Sequence, residues 1–398
     1  MGNLDYSIER PVDLAVLGST GSIGRQALDI AAKNRELVDV TVLSTNSSVD
    51  LLVKQALEFG VGTVAIADES QRGHAALAEL PSSCKVLWGA SGIEEIAATH
   101  EAREGNLGVV LDSIVGIAGL RVSHATLSGD SRLALANKES LVVGGELLMP
   151  MVSPGQLIPV DSEHSAIFQC FEGERRSEMS RIWITASGGP FRGWTRAQLA
   201  EVTVDQALAH PTWNMGEKIT IDSSTLMNKG FEVIEAHHLF DCDYDRVSVV
   251  VHPQSCIHSM VEFADGSVKA HLGVTDMRIP IQYALSYPAR WEGVLEPLDF
   301  TKLGSLTFEA PDLDTFGCLR LAIAAGREGG TATTVLNAAS EVAVAAFLAR
   351  RCGFLDIEAA VEDALGAHAS ERIESLEHIE AVDDWARAHV RGFLGLDE

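Results

Sequence analysis

The sequence predicts an α/β protein. It has a doubly wound parallel sheet at the N-terminal end, an α+β middle and a bundle of helices at the C-terminal end. Three observations predict this. From residue 12 to about 160, short apolar runs alternate with stretches of helical period, and β-α-β repetition builds a parallel sheet. After about residue 180 the strands gather around proline, glycine and hairpin turns, the mark of α+β packing. From about residue 316 the pattern is helical only.

Taken in order, Val12 to Leu17 is the first strand, followed by Gly18-Ser19-Thr20-Gly21-Ser22-Ile23-Gly24 and a helix to about Lys33. Val38 to Leu43 is the second strand, and Val49, Leu52, Val53, Ala56 and Leu57 recur at helical spacing. Thr63–Ala67, Lys85–Trp88, Val109–Leu111, Arg132–Ala136 and Gln156–Val160 complete the sheet. Ligands of such sheets bind at the carboxyl ends of the strands. In the middle of the chain, Arg181 to Ala186 is a strand and Thr195 caps a short helix through Leu199. Lys218 to Ile221 reads as a strand, and Asn228 to about Leu239 as a helix. Val247–Val251, Ser259–Phe263 and Ser267–Leu272 read as an antiparallel set, with Asp265-Gly266 as a hairpin turn. Residues 287–315, rich in proline and turn formers, are a linker. Val335, Leu336, Ala339, Val342, Ala343, Ala346 and Phe347 then share one helical face, and further helices cover about 356–368 and 377–392. The resulting domains are 1–160, 161–286, the linker 287–315, and 316–398.

Composition excludes some partners. The formal charge is −26 over 398 residues, which opposes nucleic acid and anionic membrane, both of which need a basic footprint. Asp356 to Glu398 carries twelve acidic residues against three Arg and no Lys, a solvated helical surface. An anionic substrate would therefore need local positive charge, a metal or helix N-termini. No apolar run reaches the roughly 18 residues of a membrane span, and Met1 to Arg10 is too polar and acidic for a leader. The expected location is cytoplasmic. The six cysteines form no CxxC pair, so reduced thiols are expected and a zinc-cysteine site is not.

Seven stretches carry chemistry. Gly18, Gly21 and Gly24 lie between a strand and a helix, where they let backbone N–H groups approach a pyrophosphate. The second strand ends in Ser44-Thr45-Asn46-Ser47-Ser48 with no acid. A 2′-phosphate would not be repelled there, and Ser47 and Ser48 are assigned to hold it, which favours NADP over NAD. Asn137-Lys138-Glu139 ends a strand and suits substrate or cofactor, or equally a capping turn. In Asp161-Ser162-Glu163-His164, an extended chain would point both carboxylates one way, and two such anions stay ionised together around a cation. The alternative is a solvated strand end. Ser223, Asn228 and Lys229 gather hydroxyl, amide and ammonium groups at a helix start, the chemistry of a phosphate site. Glu232, three residues beyond Lys229 on the same face, is a candidate third carboxylate for the Asp161/Glu163 corner or half of a Lys-Glu surface pair. Ser187, in a glycine-rich loop, also suits phosphate, and His210 with Trp213 suits a lid. His252 and His258 read as structural.

In chain order the segments are GSTGSIG (18–24), LANKESL (135–141), VDSEH (160–164), ASGGPF (186–191), HPTWNMG (210–216), DSSTLMNKG (222–230), HPQSCIHSM (252–260) and QYALSYP (282–288). Together they resemble the 1-deoxy-D-xylulose 5-phosphate reductoisomerases, from about residue 12 to 350. The resemblance implies a Rossmann-like NADPH-binding domain, a catalytic, metal-binding and dimerisation domain, and a helical C-terminal domain. It implies rearrangement of that sugar phosphate followed by reduction to 2-C-methyl-D-erythritol 4-phosphate in the non-mevalonate isoprenoid pathway. The cofactors would be NADPH and Mg2+ or Mn2+, with Co2+ a third candidate, and the assembly a homodimer.

By the same resemblance, Asp161, Glu163 and Glu232 are metal ligands. Lys138, Ser162, Glu163, Ser187, His210, Ser223, Asn228, Lys229 and Glu232 contact substrate, and Trp213 is the lid aromatic. Thr20, Gly21, Ser22, Ile23, Asn137, Glu139 and Gly216 contact cofactor. The chain departs from the family at Asn46-Ser47-Ser48, where a glycine and asparagine are common, and at Ser340, which replaces a common asparagine. Ser113-Ile114-Val115-Gly116 and Asp276-Met277-Arg278-Ile279-Pro280 each differ from the usual motif at one residue. Two rivals remain: a reductase of a phosphorylated aldehyde without metal need, and an inactive nucleotide sensor, which would have lost a carboxylate or Lys229.

Overall fold

The computed structural model describes residues 10–213 and 215–396. The polar stretch at residues 1–9 and Asn214 of the lid motif lie outside the described residues. The chain divides into two compact units, the first of residues 10–140 with Pro150–Ser165 and Asp276–Pro297, the second of Leu141–Met149, Ala166–Thr275 and Leu298 onward.

The first unit is built on a parallel sheet. Its strands are β1 (Val12–Leu17), β2 (Val38–Thr45), β3 (Thr63–Ile66), β4 (Lys85–Trp88), β5 (Leu107–Asp112), β6 (Arg132–Leu135) and β7 (Leu157–Pro159). They lie in the order β4-β3-β2-β1-β5-β6-β7, and every paired strand is parallel. All six residues of β1 are buried, as expected of a strand covered on both faces, and its one charged residue, Asp13, is paired with Arg103. Helices α1 (Ser22–Lys33), α2 (Val49–Phe59), α3 (Gly89–Thr99) and α4 (Ala118–Ser128) are the crossovers. One core cluster joins Leu17, Val42 and Val110 of the sheet to Ile93, Ile96 and Ala97 of α3 and Val122 of α4. Truncating a side chain such as Leu17 to alanine there costs about 2–5 kcal/mol, from lost burial and the cavity left behind. The strand order turns back at β1 and β5, which places the ligand crevice at their carboxyl ends.

Helices α5 (Lys138–Leu148) and α6 (Ser162–Cys170) follow β6 and β7. The sheet ends at Pro159, so the sequence-based extension of this strand through Glu163 is corrected. Asp161 caps a helix: its Oδ1 accepts the Glu163 N–H at 3.2 Å and its carbonyl accepts the Ser165 N–H at 2.8 Å. A short polar side chain at that position satisfies N–H groups that a helix start leaves bare.

The second unit has β8 (Met179–Ala186), the short helices α7 (Arg196–Leu199) and α8 (Val204–Ala207), and helices α9 (Glu217–Thr225) and α10 (Met227–Phe240). Strands β9 (Val247–Val251), β10 (Ile257–Phe263) and β11 (Val268–Leu272) follow. The sheet order is β11-β10-β8-β9. Thr195 caps α7 through a capping box with Gln198, as expected. Two expectations are corrected. Residues 218–221 are helical, because Lys218 pairs with Asp222 one turn on and Gly216 caps the helix, outweighing the strand preference of Ile219-Thr220-Ile221. Val247–Val251 pairs parallel with β8, since the intervening helices make a crossover, while β10 with β8 and with β11 is antiparallel. The turn at Asp265-Gly266 is as expected, with Gly266 at φ +83°.

Helix α11 (Arg278–Ser286) belongs to the first unit, where Arg278 pairs with Asp29 of α1 at 2.8 Å. Residues 287–316 contain no helix or named strand. The second unit closes with α12 (Gly317–Glu328), α13 (Ala332–Leu348), α14 (Phe354–Ala367) and α15 (Leu376–Phe393). Helix α13 is buried on nearly every side, including Thr334, Asn337 and Ser340. It is a central helix packed by α12, α14 and α15 rather than the one-faced helix that its apolar stripe predicts. All six cysteines are free thiols. Among the described residues no helix is long and apolar enough to cross a membrane.

Candidate active site

In the first unit, β1 is followed by Gly18, whose φ is +89°. A Cβ at Gly18 would lie 2.7 Å from the Ser113 carbonyl oxygen, so the turn needs glycine for conformation and for space. The turn is tied to β2. Gly18 N–H donates to Ser44 Oγ at 3.0 Å, Ser19 Oγ lies 2.8 Å from Gln55 Oε1, and Thr20 Oγ1 lies 2.7 Å from Thr45 Oγ1. Helix α1 starts at Ser22 after Gly21, with no side-chain cap, so its leading N–H groups stand as donors for an anion. Ser47 and Ser48 are exposed before α2, whose start also lacks a side-chain cap. Asp50, in the first turn of α2, works against an anion there.

Asn137 is differently employed from a simple ligand contact. Its Nδ2 donates to the carbonyls of Ile114 at 2.6 Å and Gly116 at 2.9 Å, and lies 3.3 Å from Glu139 Oε2. Its Oδ1 accepts from the Ser140 N–H at 2.8 Å and hydroxyl at 2.5 Å. The side chain thus staples the 114–116 loop to the start of α5.

Strands β6 and β7 are neighbours, and each feeds a helix at the same edge. Lys138 opens α5 and Asp161 caps α6, and Lys138 Nζ lies 2.8 Å from Asp161 Oδ2. Burial alone would raise the Asp161 pKa, but the Lys138 ammonium, His164 and a hydrogen bond with Glu163 hold it well below the usual carboxylate range. His164 is fully buried with Nδ1 3.6 Å from Asp161 Oδ1. Its part in holding Asp161 escaped the sequence reading, because an i, i+3 contact exists only if residues 161–164 turn. Ser162 donates its hydroxyl to the Glu163 carboxylate.

In the second unit, β8 ends at Ala186, and Ser187 follows with its Oγ accepting the Gly189 N–H at 3.1 Å. His210 organises this end. Its Nδ1 accepts the N–H groups of Thr212 at 3.2 Å and Trp213 at 2.9 Å. Its Nε2 lies 3.0 Å from Ser187 Oγ and 3.2 Å from Ser223 Oγ. Burial lowers the His210 pKa. An acceptor at Nδ1 and a lowered pKa together assign a neutral ring with its proton on Nε2. The serine hydroxyls then keep their own protons to donate to an anion.

Ser223 lies in the last turn of α9 and Asn228 and Lys229 in the first turn of α10, which refines the single helix start read from the sequence. The junction residue Leu226 is at φ +62°, an unfavourable conformation for a branched side chain and one that collects at functional sites. Glu232 accepts from Asn228 Nδ2 at 2.6 Å and from the Lys229 ammonium. The Trp213 ring meets His258 edge-on with centroids 6.1 Å apart. Gly216 caps α9, its carbonyl accepting the Thr220 hydroxyl at 2.8 Å. His252 bonds the Thr307 carbonyl at 3.0 Å and stacks on Phe308, a structural role as expected.

Known proteins resemble this chain along nearly its whole length. A family model for 1-deoxy-D-xylulose 5-phosphate reductoisomerase matches residues 14–145, and models of the C-terminal domains of that enzyme match 157–240 and 272–389. The 1-deoxy-D-xylulose 5-phosphate reductoisomerase of Chloroherpeton thalassium is 48% identical, over 95% of this chain and 97% of its own. That of Chlorobium chlorochromatii is 50% identical, over 96% and 99%. Among solved structures, the Zymomonas mobilis reductoisomerase in complex with NADPH superposes with a TM-score of 0.89 at 43% identity, covering 97% of this chain and 99% of that one. A DOX-P reductoisomerase in complex with NADPH, fosmidomycin and magnesium superposes with a TM-score of 0.88 at 38% identity, over 97% and 98%.

Proposed function

The chain belongs to the 1-deoxy-D-xylulose 5-phosphate reductoisomerase family, and on that premise we propose that it rearranges and reduces 1-deoxy-D-xylulose 5-phosphate. The product is 2-C-methyl-D-erythritol 4-phosphate, a precursor in non-mevalonate isoprenoid synthesis, and NADPH is the reductant. The observation that carries the reading is the hydroxyl cluster around neutral His210, Ser187 and Ser223, with Asn228 and Lys229 opening the next helix. Hydroxyl and amide donors, an ammonium and a helix N-terminus are what a phosphate monoester needs.

In this reading the phosphate is held by Ser187, Ser223, Asn228 and Lys229, which fixes one end of the substrate. Lys138 and Ser162 orient the other end, and Trp213 closes over it to exclude water. The glycine turn with Thr20, Gly21, Ser22 and Ile23 takes the pyrophosphate of NADPH, Ser47 and Ser48 its 2′-phosphate, and Asn137, Glu139 and Gly216 border the rest of the cofactor. Asp161, Glu163 and Glu232 are the metal ligands. Their chemistry fits: all donors are hard oxygens, and Asp161 is held ionised, which suits Mg2+ or Mn2+, and Co2+ less well. A bound divalent ion supplies Lewis-acid stabilisation of the charge that develops on the substrate oxygens.

The domains divide this work as nucleotide binding in 1–160, catalysis, metal binding and dimerisation in 161–286, and a helical closing domain in 316–398. The working form is a cytoplasmic homodimer. Supporting this, β11 is an edge strand with its first residues exposed, and an open sheet edge is a template for pairing. The decisive experiment follows NADPH oxidation with 1-deoxy-D-xylulose 5-phosphate, with and without divalent ion. Metal-dependent oxidation is expected, and its absence overturns the reading.

A further inference from the structure

Asp112 is the last residue of β5 and is fully buried, yet no role above uses it. Its carboxylate accepts the Ile114 N–H at 3.2 Å and meets the Ser123 hydroxyl of α4 at 2.8 Å. Four oxygens then stand in line. Asp112 Oδ2, Ser123 Oγ, Ser140 Oγ and Asn137 Oδ1 are separated in turn by 2.8, 3.3 and 2.5 Å. Each of these contacts needs one proton to be a hydrogen bond.

The count of protons is decisive. Asn137 is fixed in orientation, because its Nδ2 faces two main-chain carbonyls, those of Ile114 and Gly116. Its Oδ1 therefore faces Ser140 and brings no proton. Ser140 gives its proton to Asn137, and Ser123 has one proton for two neighbours. If Asp112 is ionised it draws that proton, and the Ser123 and Ser140 oxygens face each other at 3.3 Å with nothing between them. If Asp112 carries a proton, every contact is made.

We propose that Asp112 is a positioning residue of the nucleotide site, a neutral carboxylic acid whose proton completes a relay through Ser123 and Ser140 to the Asn137 amide. The relay sets the amide that staples the 114–116 loop to α5 and faces Glu139. Its effect on cofactor rests on the reading of Asn137 and Glu139 as NADPH contacts. The electrostatics agree. Burial pushes the Asp112 pKa up, the hydrogen bonds from Ser123 and Ile114 pull it down, the nearby Glu139 charge raises it again, and it settles at about 7. Glu139, on α5, is the charged group that faces it. The relay is complete below that value and broken above it.

The test compares the wild type with Asp112→Asn, whose amide can donate to Ser123 in place of the acid, and with Ser123→Ala, which cuts the relay in its middle. In cofactor-free protein, infrared spectroscopy of the wild type should show a protonated-carboxyl band that fades as pH rises through neutrality and is missing from Asp112→Asn. NADPH affinity of the wild type, read by fluorescence titration, should fall roughly three- to tenfold over the same range, the effect of one hydrogen bond in the wall of a site. Asp112→Asn should bind with no such pH dependence, and Ser123→Ala should bind weakly even at the acid end. Absence of the band, or a wild-type pH profile in Asp112→Asn, overturns the relay. A band that titrates while NADPH affinity stays constant overturns the positioning role alone. A wild type that shows the band but binds no NADPH at any pH overturns the cofactor reading instead.

Discussion

Lys138 and Asp161 form an ion pair, Nζ to Oδ2, at 2.8 Å, with both side chains nearly buried. The pair arises because adjacent strands β6 and β7 each end at the start of a helix. Glu232 has the same arrangement in the second unit, paired with Lys229 within one helix. Two of the carboxylates assigned to the metal thus have an ammonium as partner, and the assignment can be tested through those partners.

Replacing Lys138 with methionine takes the ammonium away from a buried carboxylate that keeps only His164 and the Glu163 N–H, which costs up to about 3 kcal/mol. Adding Mg2+ should recover much of that loss in a thermal melt if Asp161 is a ligand, since the cation replaces the missing charge. The pH dependence has a definite sign. The Asp161 pKa is depressed in the folded protein, so its contribution is present above the unfolded value of about 3.9 and is lost as pH falls through the folded value. In Lys138→Met the acid limb of the melting curve should begin at higher pH. A melting temperature in this variant that is indifferent to Mg2+ would count against Asp161 as a ligand.

Glu232→Gln should abolish turnover while NADPH binding stays near that of the wild type. Glutamine retains an acceptor for Asn228, which donates to Glu232 at 2.6 Å, but it removes the anion facing Lys229. Near-normal turnover at saturating Mn2+ would sink the assignment of this carboxylate.

His210→Ala should raise KM for the sugar phosphate on the order of tenfold or more, because Ser187 and Ser223 lose their common partner. NADPH affinity should hardly change. The pH sign follows from the lowered pKa. The neutral ring is present above its ordinary value of about 6.5, and as pH falls through the folded value protonation removes the acceptor for the Thr212 and Trp213 N–H groups. KM should therefore rise on the acid side in the wild type and not in the variant. A KM equal to the wild type's would show that the serines need no organiser.

What could be read in the sequence depended on how local the cause was. The parallel sheet was legible because strands buried on both faces are short, mostly apolar runs, as in Val12–Leu17, where Asp13 is the one polar residue. Residues 218–221 were misread because Ile219-Thr220-Ile221 is β-branched, while the helix rests on Lys218 reaching Asp222. The start of α6 did carry a signal, an aspartate followed by a glutamate in the first helical turn, but it lay beneath the assumption of a longer strand. The parallel pairing of β9 with β8 could have been inferred from the helix between them, since parallel neighbours need a crossover. Asp112 could not have been found, for an acid closing an apolar strand reads as its solvated end until Ser123 is seen against it.

The glycine turn provides the sharpest stability prediction, because its three glycines are not equivalent. At Gly18 both φ, at +89°, and a 2.7 Å approach to the Ser113 carbonyl oppose a side chain. At Gly24 a Cβ would lie 2.5 Å from the Gly18 carbonyl and from Ser19 Cα. At Gly21 the nearest atom is 3.3 Å away and φ is −74°. Gly18→Ala and Gly24→Ala should each cost about 2 kcal/mol or more, from backbone strain or overpacking, and weaken NADPH binding with it. Gly21→Ala should cost well under that, with its loss confined to cofactor affinity. Denaturant midpoints for the three variants check the order, and a Gly18→Ala protein as stable as Gly21→Ala would show that the turn moves to make room.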